Sequence, residues 1–122
     1  MELNTVCTIG DVIRARRDLY LSGKTDALLS SINDWFIYTK GTRDEYLLDT
    51  PCIIADPPGY DDERELELFP DFCDEHRMYS ELMPEMLDDV LISALGQKRD
   101  ASEDELLCAL NYYADMDAFF QF

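Results

Sequence analysis

The hydrophobic pattern of this chain changes its period along the sequence, and those changes constrain the fold more than any other feature. Apolar residues recur at helical spacing over residues 9–21, directly after a capping box formed by Thr8 and Asp11. A clearer capping box, Ser102 with Glu105, predicts a helix over about residues 103–114.

Two more helices are predicted from weaker signals. Residues 25–33 suit a short helix, and Pro84 suits the first turn of a helix that runs to about Leu95, with Gly96 as its stop.

The middle of the chain is typical of β-structure. Aromatic and β-branched residues fill 35–39 and 46–55, and Gly41 between them predicts a hairpin. Pro51 favours an edge or a bulge in the second strand, because proline donates no ladder hydrogen bond.

An acidic segment separates the second predicted strand from a third one. Residues 56–63 contain two prolines and are predicted to form a solvated loop, and the alternation over 65–69 predicts a third strand with acids on one face. The order of the elements predicts a single acidic α+β domain over 1–122, with a small antiparallel sheet and about four helices.

Composition predicts a folded cytoplasmic protein, most simply bacterial. Of the 122 residues 47% are hydrophobic, no apolar run could span a membrane, and the first residues lack the pattern of a signal peptide. The four cysteines form no CxxC motif, so we expect them to be reduced packing residues.

Charge is distributed very unevenly. Residues 56–122 carry nineteen acidic and four basic side chains, whereas residues 1–55 carry eight and six. Like charges on a compact body repel each other, so this excess is better explained by solubility or by a basic partner than by stability. Direct binding to nucleic acid is disfavoured, since its phosphates would meet a negative surface.

No motif points to an enzyme or a cofactor. Gly23-Lys24-Thr25 lacks the upstream glycine of a phosphate-binding loop, and Cys73 with His76 offers only half of a zinc site. No nucleophile is paired with His76, and 27 acidic residues make any carboxylate pair uninformative. We therefore expect neither metal nor cofactor, and no enzymatic activity.

The predicted helix faces suggest a binding surface. On the 84–95 helix Glu85, Asp88 and Asp89 share an outward arc around Ile92, which could be the apolar centre of an interface rimmed by charge. Ile92 could equally be a stray surface residue, or be covered by the C-terminal tail. Tyr112 faces outward on the last helix, for recognition or for ordinary packing. The predicted partner-binding residues are Tyr60, Asp61, Asp62, Glu63, Glu65, Glu67, Glu85, Asp88, Asp89, Ile92 and Tyr112.

Two resemblances add to this interpretation. The stretch 100–113, followed by Asp117-Ala-Phe119 and together with Leu48-Asp-Thr-Pro-Cys52, resembles the ending of a family of small, largely uncharacterised bacterial proteins. In size, acidity and expected location the chain also resembles immunity proteins of polymorphic and contact-dependent toxin systems. That likeness implies a role but no interface residues.

The leading hypothesis is an immunity protein that binds and neutralises a basic toxin domain, with a nuclease as the expected toxin. We expect it to act as a monomer or weak dimer and not to bind membranes. The alternatives are an acidic homodimeric secretion chaperone for an effector, or a nucleic-acid mimic that inhibits a DNA-binding protein.

Overall fold

The computed structural model describes residues 2–24, 34–41 and 45–122, and all the elements named below lie within those ranges. The helices are α1 (Ile9–Leu21), α2 (Asp71–His76), α3 (Pro84–Gln97) and α4 (Glu103–Met116). The strands are β1 (Thr5–Thr8), β2 (Phe36–Thr39), β3 (Pro51–Ala55), β4 (Gly59–Asp61), β5 (Leu66–Leu68) and β6 (Ser80–Leu82). None of these helices is long and apolar enough to cross a membrane.

Strands of the main sheet lie in the order β1-β3-β2-β6, and every neighbouring pair is antiparallel. β4 and β5 form a separate antiparallel hairpin. The predicted α+β class with a small antiparallel sheet is confirmed, and the residues that the structure describes form four helices.

Each face of the sheet carries its own hydrophobic core, as the two-residue period of a strand requires. Ile37, Cys52, Ile54 and Leu82 belong to the larger cluster, which they share with α1, α3 and α4. The alternate residues of the central strands belong to a smaller cluster with α2 and its flanks: Tyr38, Ile53, Ala55, Cys73 and Met78. The long helices thus cover one face, and α2 lies on the other.

The helices α1 and α4 begin at the residues that their capping boxes predict. Both predicted capping boxes are present, and α1 spans the predicted residues. Gly96 does not end α3, which continues to Gln97 and is capped by the amide of Lys98 donating to Ala94. The predicted helix over 25–33 lies outside the described residues.

Strand positions depart further from the prediction. Pro51 opens β3, which is an inner strand and not an edge; proline is tolerated at the first position of a strand. Residues 59–61 of the predicted loop form β4, because they pair with β5. The strands β1 and β6 and the helix α2 were not predicted, since each is too short for a clear periodic signal.

A buried ion pair ties α1 to α3. The Arg16 guanidinium donates from Nε and Nη2 to the two oxygens of Asp88 at 3.0 and 2.8 Å, and both side chains are only 1% exposed. The guanidinium carbon of Arg16 also lies 5.0 Å from the centre of the Trp35 ring. Two parallel bonds of this kind satisfy both charges where water cannot reach them.

The C-terminal residues pack on the domain. Phe120 contacts the larger core and stacks edge-on against Tyr112, with ring centres 5.4 Å apart. The Gln97 side chain donates to the carbonyl of Phe120 and accepts from the amide of Phe122. These bonds fix the tail against the end of α3.

Replacing Asp88 by alanine should destabilise the protein by about 3–5 kcal/mol, because Arg16 would remain buried without its carboxylate. Urea denaturation measures this change. Asp89→Ala is the matched control: Asp89 is the next residue of α3 and is exposed, so its loss should change stability by less than about 0.5 kcal/mol. Equal effects of the two substitutions would contradict the assignment.

Candidate partner-binding face

The β4–β5 hairpin presents most of the exposed carboxylates of the predicted set. Residues 62–68 are all exposed, and Tyr60 is 61% exposed. Asp61 differs from its neighbours: it is half-buried, accepts hydrogen bonds from the amides of Glu63 and Arg64, and pairs with the Arg64 side chain at 3.3 Å. Asp61 therefore shapes the turn, while the acids beside it face solvent.

Aromatic contacts hold this hairpin to the α2 side of the sheet. Phe69 follows β5, and its ring centre lies 6.1 Å from that of Tyr38 and 5.2 Å from that of Tyr79. The Tyr79 hydroxyl donates to Asp74 at 2.7 Å. The hairpin and α2 consequently lie on the face of the sheet opposite the three long helices. The edge strand β6 borders that face, and its Glu81 is paired in register with Tyr38.

We call this surface the acidic face. Residues 56–81 contain ten acidic side chains and only two basic ones, Arg64 and Arg77. Apart from the Asp61–Arg64 pair, no ion pair involves these acids within the described ranges. The exposed carboxylates of the acidic face are Asp56, Asp62, Glu63, Glu65, Glu67, Asp71, Asp74, Glu75 and Glu81.

Two of these carboxylates crowd each other. Glu81 on β6 sits beside Glu67 on β5, and partial burial, hydrogen bonding to Glu67 and repulsion from its charge together raise the pKa of Glu81 to about 7. Glu81 thus keeps a proton up to near neutral pH. A cation brought to this point would displace that proton and relieve the repulsion.

A groove runs along the same face beside α2. It has a volume of about 450 Å³ and is lined by the carboxylates of Asp56, Asp71 and Glu75 and by the rings of Phe69 and Phe72. Asn4 and Pro70 complete the lining. Carboxylates next to aromatic rings suit a lysine or arginine side chain, whose stem is apolar and whose end is charged.

Most ion pairs of the described residues lie away from the acidic face. Arg14 and Arg17 of α1 both reach Glu103 on α4, Arg16 of the same helix reaches Asp88, and Lys98 pairs with Glu105 at 2.6 Å. The helical side of the molecule therefore has part of its negative charge compensated, while the acidic face has very little.

The prediction of an exposed acidic arc on α3 is wrong for Asp88. Asp88 is buried against Arg16, and Ile92 is half-buried, so no acidic ring surrounds an exposed isoleucine. Glu85 and Asp89 are exposed as predicted. The signal that was missed is in α1: Arg16 lies on the apolar stripe of that helix, where a buried cation requires a buried anion.

Tyr112 lies apart from the acidic face. It is 37% exposed, packs against Phe120 and helps to line a cavity of about 410 Å³ between α4 and residues 45–47. Asn111, from the same helix, exchanges two hydrogen bonds of 2.9 Å with the backbone of Tyr46. The predicted site residues thus occupy three places, and the hairpin holds more than half of them.

The predicted half zinc site does not become a metal site in the described structure. Cys73 is buried in the smaller core, and the His76 ring lies 4.5 Å from that of Phe72. The described residues include no group of three or more histidine, cysteine or carboxylate side chains placed to hold a metal ion.

Glu81→Gln should change how stability depends on pH. Between about pH 4.5 and 7 the Glu81 carboxyl of the parent protein is protonated in the folded state, because its pKa is raised, but ionised in the unfolded state. The folded state therefore binds more protons, and Glu81 lowers the stability of the protein as the pH rises through this range. The variant should therefore gain stability over the parent at pH 8 and little at pH 4. We expect a gain below about 1 kcal/mol, because solvent screens exposed charges.

Urea denaturation between pH 4 and 8 measures this difference, and Glu85→Gln on the exposed side of α3 is the control that should keep the parent's pH dependence. Parallel curves for Glu81→Gln and the parent would show that the pKa of Glu81 is not raised in the folded protein.

Comparison with known proteins places most of the chain in a family. A family model described as "Domain of unknown function (DUF7716)" matches residues 24–122. No curated protein and no solved structure matches the chain. The matched segment includes the acidic face and both long C-terminal helices, but not β1 or α1.

Proposed function

The chain belongs to the DUF7716 family, and from the acidic face we propose that it is a cytoplasmic immunity protein that binds and neutralises the basic nuclease domain of a toxin. The observation that carries this proposal is the segregation of charge: ten acidic residues against two basic ones over 56–81, on one side of the sheet.

Uncompensated charge favours binding over stability. Carboxylates that repel one another cost folding free energy, whereas a cationic partner turns the same repulsion into attraction. The Glu67–Glu81 pair illustrates this, because neither residue has an ion-pair partner within the described ranges. A lysine or arginine of the partner would supply the missing charge.

The groove beside α2 offers a specific place for such a side chain. Asp71 and Glu75 provide negative charge, and Phe72 provides a ring for the apolar stem. A buried basic residue with these neighbours is the kind of contact that dominates protein interfaces, since arginine is enriched among the residues that carry binding energy.

Exposed apolar residues of the hairpin complete the surface. Tyr60, Leu66 and Leu68 are each at least half exposed, and they stand among the acids of β5 and its turn. An interface needs apolar contact area inside its polar rim, and a tyrosine offers such area at a low entropic cost.

Neutralisation follows from the chemistry of the partner. A nuclease holds the phosphate backbone of its substrate with lysine and arginine side chains. An acidic inhibitor meets those side chains with complementary potential, associates rapidly through long-range attraction, and excludes the substrate.

The first test is co-expression with the basic C-terminal domain of a toxin encoded beside the gene. The two proteins should co-purify, and one equivalent of the chain should abolish the toxin's activity. The association rate should fall steeply as salt rises from about 50 to 500 mM, because salt screens electrostatic steering. Co-purification with full toxin activity, or a rate that does not depend on salt, would refute the proposal.

Substitutions in the groove beside α2 test whether it contacts the toxin. Asp71→Asn with Glu75→Gln should weaken toxin binding by about tenfold or more, since desolvated charge pairs cost 2 kcal/mol or more when one partner is lost. Asp104→Asn with Asp115→Asn removes the same charge from exposed positions of α4 and should weaken binding less than about threefold. Affinity is measured by calorimetry.

A homodimeric secretion chaperone is the second candidate. It is favoured by the exposed apolar residues at the C-terminal end, where Met116, Phe119 and Phe122 are each at least 40% exposed. Such a chaperone needs a large apolar interface between its two copies. Light scattering separates the two functions, because an obligate dimer fits the chaperone and a monomer fits the inhibitor.

A further inference from the structure

Two cysteines face each other across the β1–β3 pair. Cys7 and Cys52 are directly opposite in the antiparallel register, and their sulfur atoms are 3.5 Å apart. Directly opposite residues in such a pair have Cα atoms about 4.5–5.5 Å apart, which lies within the range that disulfides span. A bond between them would need only a short approach of the two sulfurs.

The two thiols differ in accessibility and in acidity. β1 is an edge strand and Cys7 is half-buried, whereas Cys52 is fully buried in an inner strand. The hydrogen bond from Cys52 lowers the pKa of Cys7, and the same contact together with burial raises the pKa of Cys52. Cys7 is thus the thiol that an oxidant reaches and the one that ionises more readily.

The remaining cysteines have no such partner in the described structure. Cys73 is buried in the smaller core and Cys108 is exposed on α4. Within the described residues, neither sulfur lies at hydrogen-bonding distance from another sulfur. Cys7 and Cys52 are therefore the two cysteines placed to form a disulfide.

We propose that Cys7 and Cys52 form a reversible disulfide modification site that responds to a peroxide-type oxidant. The Cys7 thiolate attacks one oxygen of hydrogen peroxide, the O–O bond breaks, and the released hydroxide takes up a proton to form water; Cys7 becomes a sulfenic acid. The Cys52 sulfur then attacks the Cys7 sulfur, the S–O bond breaks, and the hydroxide leaves as water with the Cys52 proton. Two thiols and one peroxide thus give one disulfide and two waters.

The disulfide would fasten the N-terminal strand to the family domain. Cys7 lies before the matched segment and Cys52 lies within it, and the two are 45 residues apart in sequence. Closing a loop of this length restricts the unfolded chain more than the folded one, so oxidation should raise the melting temperature. The bond would also fix β1, the outer strand of the sheet, against β3.

The test treats the full chain carrying Cys108→Ser, which removes the exposed thiol, with a small excess of hydrogen peroxide. We expect a monomer lighter by about 2 Da, a peptide that links Cys7 to Cys52, and the loss of two of the three remaining thiols. The melting temperature should rise by about 5 °C and return to its starting value on addition of dithiothreitol.

Cys7→Ser in the same background is the matched control and should show neither the mass change nor the shift in melting temperature. The proposal is overturned if Cys7 gains oxygen without forming a disulfide, if the only disulfides are intermolecular, or if the linked protein melts at the same temperature as the reduced one.

Discussion

The ion pair between Arg16 and Asp88 is the interaction on which the helical side of the molecule depends. Both side chains are almost inaccessible to water, and each satisfies the other through two hydrogen bonds. Taking a charge out of water costs several kcal/mol, so neither residue is tolerable in this position without the other. The pair therefore fixes α1 against α3 in one arrangement.

This pair also crosses the boundary of the family match. Asp88 lies within the matched segment 24–122, whereas Arg16 and the rest of α1 lie before it. The preceding residues thus supply the cation for a carboxylate buried in the family domain, and Ile9, Val12 and Ile13 supply part of its larger core. β1 and α1 are integral parts of this fold.

Few of the carboxylates on the acidic face are compensated by ion pairs within the fold. Arg14, Arg16 and Arg17 are held by Asp88 and Glu103, away from the hairpin and α2. The negative charge of residues 56–81 thus remains available to a partner. Charge that folding does not compensate is better explained by recognition, and we therefore assign the proposed binding role to this face and not to α3.

Features decided by adjacent residues could be predicted from the sequence. The α1 and α4 capping boxes and the β2–β3 hairpin depend on neighbours along the chain, and the exposed hairpin acids follow from charge and alternation. The environment of Asp88 depends on a residue 72 positions away, so a helical wheel drawn for α3 alone places it wrongly. The crowding of Glu67 and Glu81 likewise arises only when β5 and β6 meet.

The most direct test of the account compares association rates with the basic toxin domain for two sets of variants that remove equal charge. One set neutralises Asp62, Glu63 and Glu65 on the hairpin, and the other neutralises Asp89, Asp104 and Asp115 on α3 and α4; all six residues are exposed. The hairpin set should slow association by about tenfold at low salt, and the helical set should slow it by less than about twofold. Equal slowing by both sets would show that net charge alone attracts the partner and would contradict a specific acidic face.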